Sequence, residues 1–237
     1  MGEEGVSEAG DDELERRKAR QREIDALPGS HGDNIAERAA WFETVYASAD
    51  HNTGNVPWAD LKPKDVLTNW LKRNPGEGRT AIDVACGLGD NAEALAGAGW
   101  KTTAFDVAPS AVSWAEERFP RSTVAYHAAN LFDPPKDWIG GFDLVHECYT
   151  LQSFEGAMRE EAFEAIGRLV KPGGRLLVIA RARAEDELFK GPPWPLLPAE
   201  FDRFLDLGFL KAKNRSYVVQ KGYRLIAHRF IEYRRTG

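Results

Sequence analysis

The sequence predicts an α/β fold: a doubly wound, mostly parallel sheet with helices on both faces. Three observations carry that expectation. An apolar run, Thr80-Ala81-Ile82-Asp83-Val84, enters the glycine turn Ala85-Cys86-Gly87-Leu88-Gly89-Asp90-Asn91, and the alanine-rich stretch from Ala92 to Ala96 leaves it as a helix. A second short run, Trp100 to Phe105, ends on the acid Asp106. From there to about residue 180 the chain keeps alternating strand-like and helix-like segments, the pattern of parallel strands joined by crossover helices.

In chain order, residues 1 to about 12 are small and acidic, a composition expected to stay disordered. Asp11 to Ala26 is dense in charge and reads as a solvated helix or a partner-binding segment, stopped by Leu27-Pro28-Gly29. Ile35 to Ser48 forms a helix with Ile35, Ala39, Phe42, Val45 and Tyr46 on one broad face. A polar loop, Asp50 to Val56, leads through Pro57-Trp58 to a second helix over Lys64 to Arg73. Strands are expected near 80–85, 101–106, 122–127, 142–148 and 174–181, and an antiparallel hairpin near 212–220 and 223–233 turns at Lys221-Gly222. This divides the chain into a charged segment (1–33), a helical cap (34–75) and a core (76–237).

The 237 residues are 43% hydrophobic, enough for a substantial core, and the formal net charge of −6 disfavours a dedicated nucleic-acid binder. The two cysteines, Cys86 and Cys148, provide neither a disulfide scaffold nor a zinc quartet, and no metal site is expected. Their use points to a reducing cytoplasm. The opening Met1-Gly2-Glu3-Glu4 lacks the apolar stretch of a secretory signal, and no window approaches the roughly twenty apolar residues that span a bilayer.

The glycine turn is where chemistry becomes readable. It aims backbone N–H groups and a helix N-terminus at one spot, although many strand-to-helix turns use glycine for geometry alone. Asp106 follows about twenty residues later, the spacing at which an acid accepts ribose hydroxyls in dinucleotide folds. Turn and acid together indicate an adenosine-containing cofactor. Gly87, Gly89 and Ala92 fit the dinucleotide fingerprint well enough to keep NAD open. Asp83, a carboxylate just before the turn, argues against a pyrophosphate and for a ligand bearing an ammonium group.

These segments resemble the class I S-adenosylmethionine-dependent methyltransferases, whose first motif, Asp/Glu-x-Gly-x-Gly-x-Gly, is matched from Asp83 to Gly89 with Ala85 in place of the first glycine. The resemblance continues through Phe105-Asp106-Val107, through Ala128 to Asp133, through Gly141 to Leu151, and through Leu169 to Ile179. It implies a Rossmann-like seven-stranded sheet with an N-terminal helical cap, S-adenosylmethionine as cofactor and S-adenosylhomocysteine as product. The cofactor-binding set it implies is Asp83, Ala85, Cys86, Gly87, Gly89, Asp90, Asn91, Asp106, Val107, Asn130, Leu131, Glu147 and Cys148.

Methyl transfer needs alignment and exclusion of water more than it needs a base, so catalytic groups are harder to read. Glu147 and Tyr149 follow the fourth strand, where the family touches methionine moiety and acceptor; Glu147 is either a base or an ammonium anchor. His146 alternates to the opposite face and reads as a satisfied core histidine. Trp41 to Tyr46 with Pro57-Trp58 resembles the cap of thiopurine and thiol S-methyltransferases, which places Tyr46 among the catalytic candidates and Trp58 over the substrate. Arg181 and Arg183 either clamp a substrate anion or balance Glu185, Asp186 and Glu187; Trp194 either walls an acceptor pocket or pins its proline-rich loop. The reading is a methyltransferase acting on sulfur, nitrogen or oxygen of a small molecule, with no nucleic-acid or membrane partner. An NAD-dependent oxidoreductase, opposed by Asp83 and by the lack of a Tyr-x-x-x-Lys pair, and a non-catalytic cofactor-binding protein are the alternatives.

Overall fold

The computed structural model describes residues 19–189, 191–221 and 224–237, so most of the charged segment and the hairpin turn at Gly222 lie outside the described residues. A helical stretch over 19–25 (α1) is followed by α2 (Ile35–Ala47) and α3 (Asp65–Leu71). The core then runs β1 (Thr80–Val84), α4 (Asp90–Gly97), β2 (Lys101–Asp106), α5 (Pro109–Arg118), β3 (Ala125–Ala128), β4 (Phe142–Cys148), α6 (Gly156–Leu169), β5 (Val170–Arg181), α7 (Arg203–Asp206), β6 (Phe209–Lys221) and β7 (Arg224–Arg235).

The seven strands form one sheet in the order β3-β2-β1-β4-β5-β7-β6. β1 to β5 pair in parallel, and β7 runs antiparallel to both β5 and β6. From β1 the chain winds outward to β3, then crosses to β4 on the other side of β1. That reversal leaves a crevice above the carboxyl ends of β1 and β4, where doubly wound sheets bind ligands.

Strand alternation sorts the core into two faces. Ile82, Val84, Val145, Leu176 and Val178 pack with Phe163 and Ile166 of α6 and Phe204 of α7. Ala81, Leu144, Leu177 and Ile179 face the opposite layer, against Leu67 and Trp70 of α3 and Leu95 of α4. The cap is fixed to this frame by both packing and polar bonds. Asn34 caps α2 through Glu37 N, while the Glu37 carboxylate accepts from Asp33 N and Asn34 Nδ2, a reciprocal arrangement of capping-box type. Trp41 is buried with Ile24 and Val45 and donates its indole N–H to the Ile24 carbonyl at 2.7 Å. The Glu43 carboxylate accepts from Ser110 N and Oγ in the first turn of α5, supplying a cap that α5 lacks locally.

Expected strand boundaries and one expected helix face differ from those found. β3 covers 125–128 instead of 122–127, because Ser122 is held in a turn by its bond to Glu93 and its own acceptance from Val124 N. β5 begins at Val170, not 174: Val170 pairs with Phe142 before Lys171–Gly174 bulge out, and the register resumes at Leu144 and Arg175. On α2 the buried residues are Arg38, Trp41, Val45 and Tyr46. Ile35, Ala39 and Phe42 remain half-buried because they face a cavity and not the sheet.

Candidate active site

The turn after β1 is built from residues with positive φ: Ala85 at 51°, Gly87 at 52° and Gly89 at 87°. Gly89 is required by space as well, since a Cβ there would lie 2.4 Å from the Tyr126 hydroxyl. A Cβ on Gly87 would come within 3.0 Å of the Tyr46 hydroxyl, so the cap tyrosine stands directly over the turn. Tyr46 in turn accepts the Trp58 indole N–H at 2.8 Å. Cap and glycine turn therefore close on one cavity of about 240 Å³.

Most of the expected site residues line that cavity: Ala85, Cys86, Gly87, Asp90, Asn91, Asp106, Val107, Asn130, Leu131, Cys148, Tyr149, Tyr46, Trp58 and Arg181. Asp106, at the end of β2, accepts Gly87 N at 2.9 Å and Ala108 N at 3.0 Å. Burial pushes its pKa up to about 6 despite those N–H bonds. The Asp90 carboxylate is already committed to a bidentate pair with Arg118, at 2.8 and 2.9 Å. Asn91 Oδ1 accepts Lys64 N, tying the glycine helix to the start of α3.

Four expected residues do not line it. Asp83 is buried and its Oδ1 meets His146 Nδ1 at 2.6 Å, on the opposite sheet face from Glu147, while its Oδ2 is buried with no hydrogen-bond partner among the described residues. Glu147 is fully buried, and its Oε1 accepts Thr150 N at 2.7 Å and Leu151 N at 3.0 Å. Those two bonds hold the turn that presents Tyr149, and burial pushes the Glu147 pKa up to about 8. Gly89 sits behind the turn, against Tyr126. Trp194 donates its backbone N–H to the Gln152 carbonyl and packs edge-on to His31, pinning the loop whose Pro192 and Pro193 do reach the cavity.

Tyr149, like Ala85, adopts a strained left-handed backbone, at φ 72°. Its hydroxyl lies 2.8 Å from His228 Nε2, and His228 Nδ1 lies 2.8 Å from the Ile226 carbonyl. A carbonyl only accepts, so Nδ1 carries the hydrogen and Tyr149 O–H donates to Nε2. Burial, reinforced by nearby Arg181, Lys64 and Lys221, lowers the His228 pKa to about 4. The sequence reading did not anticipate Asp60, Lys64, Lys221 or His228 here. The Asp60/Lys64 spacing of four was the one available signal; Lys221 and His228 arrive from the far end of the chain by sheet topology alone.

A glycine turn open to a cavity, a strand-end acid and a reversal of strand order are the features of a Rossmann-like nucleoside-cofactor site. The sequence pattern of a family described as "Methyltransferase domain" matches residues 82–178. The chain is 26% identical over 159 residues to "Probable thiol methyltransferase 2" of Arabidopsis thaliana, covering 66% of this chain and 70% of that one. It is 31% identical over 146 residues to a ubiquinone biosynthesis O-methyltransferase of Pseudomonas paraeruginosa, covering 60% of this chain and 61% of that protein. Among solved structures, Burkholderia thailandensis 1,6-didemethyltoxoflavin-N1-methyltransferase, with bound 1,6-didemethyltoxoflavin and S-adenosylhomocysteine, superposes with a TM-score of 0.65 at 17% identity. That match covers 86% of this chain and 91% of the other. These matches support an S-adenosylmethionine-dependent methyltransferase, the family pattern itself covering residues 82–178 of this chain.

The residues present fit that cofactor. The cradle that a Cβ on Gly87 would fill, and an Asp106 carboxylate facing the cavity beside Val107, offer the backbone approach and the acid that an adenosyl group needs. No cluster of metal-ligating side chains occurs among the described residues. No described helix is long and apolar enough to cross a membrane.

Proposed function

We propose that the acceptor is a small molecule, taken up beneath the cap in the same cavity that holds S-adenosylmethionine. The observation that carries this reading is the closure of α2 and the Trp58 loop over the glycine turn. A roof made of Phe42, Tyr46 and Trp58 supports a compact ligand enclosed on several sides more than a nucleic-acid strand or a folded protein surface. The relatives point the same way, including a probable thiol methyltransferase, an N-methyltransferase and an O-methyltransferase.

The proposed roles follow from placement. Asp106 accepts the ribose hydroxyls, Val107 and Leu131 flank the adenine, and Asn130 sits beside them. Cys86, Gly87 and Cys148 border the methionine end. When bound, the cofactor supplies a methyl group activated on a sulfonium. The chain's contribution is alignment and dryness: Tyr46 and Trp58 shut out water, and the aromatic faces favour a cation by on the order of 1–2 kcal/mol. Tyr149 touches the acceptor, oriented by its bond to His228. With a pKa near 4, His228 stays neutral at physiological pH and leaves Tyr149 a hydrogen-bonded positioning group.

The division into segment 1–33, cap 34–75 and core 76–237, and a cytoplasmic setting, belong to the same proposal; two free, cavity-facing thiols support a reducing compartment. The test is transfer of labelled methyl from S-adenosylmethionine to a panel of small thiols, phenols and amines beside total RNA and protein. Label in a small-molecule pool supports the reading; label confined to RNA or protein overturns it.

A further inference from the structure

The acceptor end of the cavity has an unbalanced charge. Arg181, at the carboxyl end of β5, is held in place by its backbone, which donates to Gln152 Oε1 at 2.7 Å and accepts from Leu196 N at 2.9 Å. Its guanidinium faces the cavity and makes no hydrogen bond or ion pair among the described residues, and its Nε is buried without a partner. Arg183, two residues on, differs: its guanidinium donates to the carbonyls of Pro195 and Glu187.

The neighbours of Arg181 do not neutralise it. Lys64 and Lys221 share the single carboxylate of Asp60, at 2.5 and 3.0 Å. Cys148, Tyr149 and Tyr217 are all pushed up by burial and stay uncharged, and neutral His228 faces the same group. Three cations against one carboxylate leave two positive charges in a partly desolvated pocket. An unpaired buried charge is destabilising unless something pairs with it. The cofactor worsens the imbalance, since its ammonium and carboxylate cancel and its sulfonium adds a further positive charge. The same cavity also carries apolar lining, from Phe42, Phe132, Phe154, Pro192 and Pro193.

Resting on the methyltransferase reading, we propose that the acceptor is an apolar small molecule bearing a carboxylate, and that Arg181 binds that group, with Lys64 and Lys221 lending charge. A planar fork of donors suits a carboxylate in bidentate fashion. The obvious rival occupant is the methionine carboxylate of the cofactor, and the experiment separates the two.

Wild-type protein and the Arg181→Met and Arg181→Lys variants are titrated first with S-adenosylhomocysteine, then, saturated with it, with benzoate, benzamide and inorganic sulfate at constant ionic strength. The expected result is S-adenosylhomocysteine affinity within about threefold of wild type in both variants. Saturable benzoate or sulfate binding should weaken at least about tenfold in Arg181→Met, survive in part in Arg181→Lys, and be absent for neutral benzamide. Loss of S-adenosylhomocysteine affinity in Arg181→Met would place the arginine on the cofactor and overturn the proposal. So would benzamide binding as well as benzoate, or the failure of both anions to bind the loaded wild type. If the wild type does not bind S-adenosylhomocysteine at all, it is the underlying methyltransferase reading that falls.

Discussion

Asp106 shows how one side chain serves both the fold and the ligand. It shapes the turn through Gly87 N and Ala108 N while facing the cavity. Asp106→Ala should lower S-adenosylhomocysteine affinity by roughly 1.5–3 kcal/mol, about ten- to a hundredfold, by calorimetry on folded protein. Because the ionised carboxylate is the acceptor, affinity should also decline as pH falls through about 6. A variant that binds normally, at any pH, would remove Asp106 from the ribose. Glu147 makes a different prediction. Its folded pKa of about 8 lies above the ordinary 4.5, so the stability tied to its protonated form is complete below pH 4.5, declines between 4.5 and 8, and is flat above. The melting temperature of Glu147→Gln should therefore exceed that of wild type by an amount that grows from pH 5 to 8 and then levels off. A pH-independent difference would contradict the buried-acid account. The sequence singled out both acids from motif spacing, yet their opposite fates were not readable. Whether a strand-end carboxylate faces the cavity or turns back to its own loop depends on the Thr150 and Leu151 amides, which no spacing rule encodes. Ala85 was legible as a departure, and its φ of 51° gives the departure a physical meaning. Ala85→Gly should leave stability unchanged or raise it by up to about 1 kcal/mol, as left-handed strain of about 1–2 kcal/mol is exchanged for glycine's greater unfolded-state entropy. Chemical denaturation checks this.

At the level of elements, α2 is the piece that turns an open crevice into a site. Its helical character was legible from apolar spacing, but its orientation was not: Ile35, Ala39 and Phe42 look like core by hydropathy and instead border the cavity. Hydropathy cannot distinguish a face that meets protein from one that meets a ligand. Arg38 on the same helix is buried, donating to the carbonyls of Gly29, Ser30 and Ser153 and thereby tying the cap to the loop after β4. The contact between Glu43 and α5 has a clear consequence. Glu43→Ala removes a carboxylate from a helix N-terminus and should lower stability by about 0.5–2 kcal/mol, while S-adenosylhomocysteine binding weakens as the roof loosens. Hydrogen exchange at residues 35–47 would show the loosening directly. Unchanged protection and affinity would mean that the cap closes without that contact.

For the whole molecule, the sheet order decides what can meet. Reversal at β1/β4 brings the glycine turn, Asp106 and Tyr149 to one rim, and this part was legible because five motifs fall in order along a hundred-residue stretch resembling a known family. The acceptor end was not legible, since Asp60, Lys64, Arg181, Lys221 and His228 come from the cap, β5 and the terminal hairpin, and only the antiparallel pairing of β7 with β5 and β6 gathers them. The central claim is that this rim holds an adenosyl-sulfur cofactor, and parallel calorimetric titrations with S-adenosylhomocysteine and NAD test it most directly. One-to-one binding of S-adenosylhomocysteine at micromolar concentration with no heat from NAD is the predicted result. Binding of NAD with none of S-adenosylhomocysteine would contradict it.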